Sequence, residues 1–68
     1  MEKYTLKALR VNAGFTQKEV AKVLNKSEKT IGKWENGVTF PTPKDIDAIC
    51  KLYNVSYDTI NFLTTNSL

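Results

Sequence analysis

The sequence predicts an all-α domain, and three observations carry that expectation. Residues that cap helices recur along the chain, at Thr5, Thr16, Ser27 and Thr42. Apolar residues return at helical intervals, most cleanly at Ile46, Ile49, Cys50 and Tyr53. No segment alternates apolar and polar residues with the period of two expected of a half-buried strand. Sixty-eight residues make one small domain, expected to span 1–68 with a core over about 5–63 and a frayed polar tail at 64–68. Five helices can be placed.

Thr5 caps the first helix, in which Leu6 and Leu9 share a face and Val11 and Ala13 lie near the end. Gly14 supplies its left-handed stop. Thr16 with Glu19 forms a capping box, so the second helix starts at Gln17, with Phe15 and Val20 spaced as a hydrophobic staple. Val20, Ala21 and Leu24 form its apolar stripe, and Asn25-Lys26 makes the following turn. Ser27 caps the third helix, Ile31 and Trp34 mark its inner face, and Asn36-Gly37 ends it. Thr42-Pro43-Lys44-Asp45 is a fourth start, with Pro at the first helical position and an acid in the first turn. Asn54 breaks that helix. Val55-Ser56 then leads to an expected fifth helix carrying Tyr57, Ile60 and Leu63 on one side.

Composition removes several function classes. The chain has no histidine and one cysteine, Cys50, so it forms no internal disulfide and supports neither an ordinary zinc site nor a Ser-His-Asp or Cys-His catalytic set. It also shows no metal cluster and no phosphate-binding glycine loop, so an enzyme and a cofactor are not expected. No apolar run nears the length of about 20 residues that spans a bilayer, and the N-terminus lacks a signal-peptide stretch. A soluble, cytoplasmic protein is the expectation. Charge is polarised: residues 1–44 hold nine Lys/Arg against four Glu, and residues 45–68 hold Lys51 against three Asp. A basic front half suits an anionic partner, and ordinary solubilising lysine is the plain alternative.

The second and third helices with their tight turn have the layout of a helix-turn-helix, which places one helix in the DNA major groove. With Ile31 and Trp34 turned inward, Glu28, Lys29, Gly32 and Lys33 face outward, with Ser27 and Thr30 beside them. Lys can donate to guanine, Glu can accept from cytosine N4, and Ser or Thr can do either. A simple solvated face has the same composition. Gly32 costs about 0.5–1 kcal/mol inside a helix. It either admits close approach of a base or sugar, relieves a helix crossing, or is merely tolerated. Gln17, in the first turn of the second helix, can meet a phosphate, and Asn36 can reach another. Lys18, Lys22, Lys26 and Lys44 are phosphate candidates by proximity, Lys22 the least so. Arg10 and Glu35 lie on inward helix flanks and either form a bridge or face water.

These residues resemble the lambdoid phage repressor and Cro-like helix-turn-helix domains, the Xre family. The resemblance is carried by Leu9-Arg10, Gly14-Phe15-Thr16-Gln17, Glu19-Val20-Ala21, Ser27, Thr30-Ile31 and Trp34-Glu35-Asn36-Gly37. It continues through Pro41, Ile46, Ile49-Cys50, Tyr53, Val55-Ser56 and Asp58. It implies a five-helix lambda-repressor-like domain that docks as a homodimer on a palindromic operator in a prokaryotic cell or phage-infected host. It further implies that Ser27, Glu28, Lys29 and Lys33 read bases, that Gln17 and Asn36 meet phosphates, and that Arg10 pairs with Glu35. Thr30 joins the phosphate candidates. Two features depart from the family. The reading positions are often neutral, yet Glu28, Lys29 and Lys33 are charged. The loop after Gly37 often carries Arg or Lys, yet Val38, Thr39 and Phe40 are uncharged, with Phe40 free to pack inward or serve a partner. A phage- or prophage-type repressor is expected, dimerising through Val55, Tyr57, Phe62 and Leu63. These four can equally close the core. An antitoxin-like protein-interaction module on the same fold is the alternative.

Overall fold

The computed structural model describes residues 3–62. Its elements run β1 (Tyr4–Thr5), α1 (Leu6–Asn12), α2 (Gln17–Leu24), α3 (Glu28–Glu35), α4 (Pro43–Tyr53), a 3-10 turn (Tyr57–Thr59) and β2 (Ile60–Asn61).

Each α-helix begins where a side chain satisfies an otherwise orphaned N–H. The hydroxyls of Thr5, Thr16, Ser27 and Thr42 accept from the backbone N–H groups of Ala8, Glu19, Thr30 and Asp45. Thr16 with Glu19, and Thr42 with Asp45, close reciprocal capping boxes. The ends are equally local. Asn25 and Asn54 take left-handed conformations at φ 58° and 56°, and Gly14 and Gly37 do so at 82° and 73°. Short polar side chains and glycine are the residues that tolerate this backbone.

The four helices enclose a core of Leu6, Leu9, Val20, Ala21, Ile31, Trp34, Ile49 and Ile60, with Phe15, Leu24, Cys50, Leu52, Tyr53, Val55 and Phe62 packed around it. No helix among the described residues is long and apolar enough to cross a membrane.

The C-terminal segment corrects the expected helix count: among the described residues four α-helices form, not five. The Ser56 hydroxyl meets the Thr59 hydroxyl at 3.1 Å and caps no backbone N–H. Two i→i+3 bonds hold the turn, from Thr59 N–H to the Ser56 carbonyl at 3.0 Å and from Ile60 N–H to the Tyr57 carbonyl. Beyond it, Ile60 and Asn61 extend and pair in parallel with Tyr4 and Thr5. Tyr57, Thr59, Ile60 and Phe62 are β-branched or aromatic, and such residues lose side-chain freedom in a helix and suit a strand. The pairing also seats Ile60 in the core at 3 % exposure. The fold is thus mostly helical, with one two-residue parallel ladder tying the two ends of the described chain together. Leu63 and the expected tail at 64–68 lie outside the described residues.

Candidate nucleic-acid interface

The α2–α3 unit is joined by a turn in which the Lys26 N–H donates to the Ala21 carbonyl at 2.8 Å. Val20 and Ala21 on α2, and Ile31 and Trp34 on α3, are buried, which turns the opposite flank of each helix outward. Gln17, Glu28, Lys29, Gly32, Lys33 and Asn36 together line one shallow, open depression. These positions belong to two helices, so the depression exists only because α2 and α3 are held at a set angle.

A polar brace sets that angle. Arg10 on α1 donates from Nε to Glu35 Oε2 at 2.7 Å and from Nη2 to Oε1 at 3.2 Å. Its Nη1 donates to the Phe15 carbonyl at 2.9 Å. Gln17 Nε2 donates to the same Glu35 Oε1 at 3.1 Å. One carboxylate at the end of α3 therefore ties α1 to the first turn of α2, and Arg10 in turn holds the α1–α2 loop. The Arg10 and Glu35 side chains are only 12 % and 4 % exposed, so both need these partners. The hydrogen bond to Glu35 outweighs burial and raises the Arg10 pKa. Tyr53 of α4 lies in the same environment, and burial followed by the Glu35 charge pushes its hydroxyl up to about 12. Its ring also meets Phe15, with centroids 6.5 Å apart.

A second brace links the α2–α3 turn to α4. Lys26 Nζ lies 3.1 Å from Asp45 Oδ1. Asp45 Oδ2 accepts from the Thr42 hydroxyl at 3.0 Å and from the Thr42 N–H at 3.3 Å. Burial alone would raise the Asp45 pKa, but the bonds from Lys26 and Thr42 together hold it below the usual carboxylate range.

The remaining expected positions fall as follows. Ser27 and Thr30 bond each other through their hydroxyls at 2.9 Å and stand outside the lining of the depression. Lys18 and Lys44 are exposed and also outside it. Phe40 is 60 % exposed and so does not pack inward. Tyr57 is exposed and meets the half-buried Phe62 at a ring distance of 5.7 Å, while Val55 packs against the core. Sequence reasoning missed the Gln17–Glu35 and Lys26–Asp45 links. The residue types were visible, but no local pattern says that the turn abuts α4 or that Gln17 reaches the end of α3.

The antitoxin PezA of Streptococcus pneumoniae serotype 4 is 36 % identical over 52 residues, covering 76 % of this chain and 33 % of that protein. The HTH-type transcriptional activator BcrR of Enterococcus faecalis is 34 % identical over 53 residues, covering 78 % of this chain and 26 % of that one. The chain thus spans a third or less of either relative. No solved structure matches. A helix-turn-helix family profile matches residues 6–60, and on that match the chain belongs to the Xre-type helix-turn-helix family.

Proposed function

We propose that this chain is a sequence-specific DNA-binding transcriptional regulator, docking α3 in the major groove and α2 across the sugar-phosphate backbone. The observation that carries this reading is the open depression shared by the two helices, where Gln17, Lys29, Lys33 and Asn36 gather donors on the outward face of a braced helix-turn-helix. In a dock of this kind the N-terminal part of the recognition helix meets base edges and the preceding helix crosses the backbone. Glu28, Lys29 and Lys33 then read bases together with Ser27, and Gln17, Asn36, Thr30, Lys18 and Lys44 face phosphates. Lys26 is assigned chiefly to the brace, because its ammonium is already engaged by Asp45.

Binding as a homodimer to a palindromic operator, in the manner of a phage-type repressor, completes the proposal. Val55, Tyr57, Phe62 and Leu63 are its candidate contact residues. The family membership and the activator BcrR support a DNA-binding regulator, and the antitoxin PezA favours a second reading as the DNA-binding part of a toxin–antitoxin pair. A toxin gene beside this one, and a stable complex of the two products on a sizing column, would favour that second reading.

Titration of labelled duplex DNA at several salt concentrations tests the first. The logarithm of affinity is expected to fall linearly with log salt, by about 0.9 for each phosphate neutralised. Affinity indifferent to salt would contradict docking on the backbone.

A further inference from the structure

Gly32 stands on the outward stripe of α3, and nothing among the described residues requires it. A Cβ at this position would meet only the Gln17 amide, at 3.7 Å from Nε2 and 3.8 Å from Oε1, an ordinary van der Waals contact. The residue is in the body of an eight-residue helix, where alanine is the better helix former. Neither packing nor backbone conformation within the chain accounts for glycine. The bare backbone instead opens toward the depression, which is lined by Gln17, Lys29, Lys33 and Asn36 with Glu28 as its one carboxylate.

We infer that the missing side chain at Gly32 makes a seat for a phosphodiester of the bound DNA strand. The inference rests on the DNA-binding reading above and assigns a contact within it. Gln17 locates the seat. It lies in the first turn of α2, the helix that crosses the backbone in such a dock, and its amide is the group nearest a Cβ at position 32. One Nε2 hydrogen is directed to Glu35, so the amide is fixed in place while its other hydrogen is available to a phosphate oxygen. A side chain at position 32 would stand where the sugar-phosphate ridge comes down beside that amide.

Gly32→Ala and Gly32→Leu test this, because folding and binding should move in opposite directions. The probes are a duplex of about 20 base pairs recovered by selection, long enough for two half-sites one turn apart, and a scrambled duplex of the same composition. Gly32→Ala is expected to raise the melting temperature and to bind both duplexes at least tenfold more weakly. Gly32→Leu is expected to lose more on both. Binding by Gly32→Ala within twofold of the parent protein overturns the seat and leaves the DNA-binding reading standing. A loss confined to the selected duplex overturns the phosphodiester assignment, because Gly32 would then face a base. Failure of the parent protein to bind any duplex overturns both readings.

Discussion

Replacing Glu35 with alanine removes three acceptor contacts at once: those from Arg10 Nε, Arg10 Nη2 and Gln17 Nε2. The Arg10 guanidinium keeps its bond to the Phe15 carbonyl. It nevertheless stays largely enclosed with no counter-charge, because its side chain is only 12 % exposed. Breaking a buried pair by deleting one partner costs about 3–5 kcal/mol, and the residual exposure of Arg10 brings the expectation to about 2–4 kcal/mol. Typical stability of about 0.05–0.15 kcal/mol per residue leaves a domain this small little reserve against that loss. In melting temperature the loss is about 8–32 °C, since each kcal/mol moves a domain of this size by about 4–8 °C. The assay is thermal unfolding followed by circular dichroism. Arg10→Met, Glu35→Leu and the double variant complete a cycle in which the double variant regains most of what Glu35→Leu loses, since no buried charge is then left alone. An unchanged melting temperature for Glu35→Ala, or strictly additive losses in the cycle, would refute the brace.

Three further outcomes concern the second brace and the outward face of the helix-turn-helix. Asp45 is held below the usual carboxylate range, so its contribution to stability is complete above about pH 5 and is lost as pH falls through the depressed folded value. The melting temperature of the parent protein should therefore fall more steeply than that of Asp45→Asn between about pH 5 and pH 2, and parallel curves would count against the Lys26–Asp45 link. Lys29→Ala should relax base preference at one operator position and lose about 1–3 kcal/mol there, whereas Gln17→Ala should weaken binding alike on every sequence; equal losses on all sequences for Lys29→Ala would reassign it to a phosphate.

Four helices were legible because their signals are local. The capping boxes at Thr16–Glu19 and Thr42–Asp45 each lie within one turn, and Asn25, Asn54, Gly14 and Gly37 mark ends through backbone preferences of single residues. The outward face of α3 was legible as the complement of Ile31 and Trp34. The segment after Asn54 was misread because Tyr57 and Ile60 are spaced as on a helix while their neighbours favour extension. Tertiary pairing with Tyr4 and Thr5 decided between the two. The Lys26–Asp45 bridge joins residues far apart in the chain and became visible only when α4 was placed against the turn. Gly32 stood out in sequence as a glycine within a helix. Only the structure showed that no neighbour within the chain demands it.

The measurement that bears most directly on the central claim is selection of binding sites from a random duplex pool at a stated salt concentration. The recovered consensus is expected to have two-fold symmetry and half-site centres about one helical turn apart, 10–10.5 base pairs. A pool that stays random after repeated rounds, with affinity equal on all sequences, would contradict sequence reading by α3.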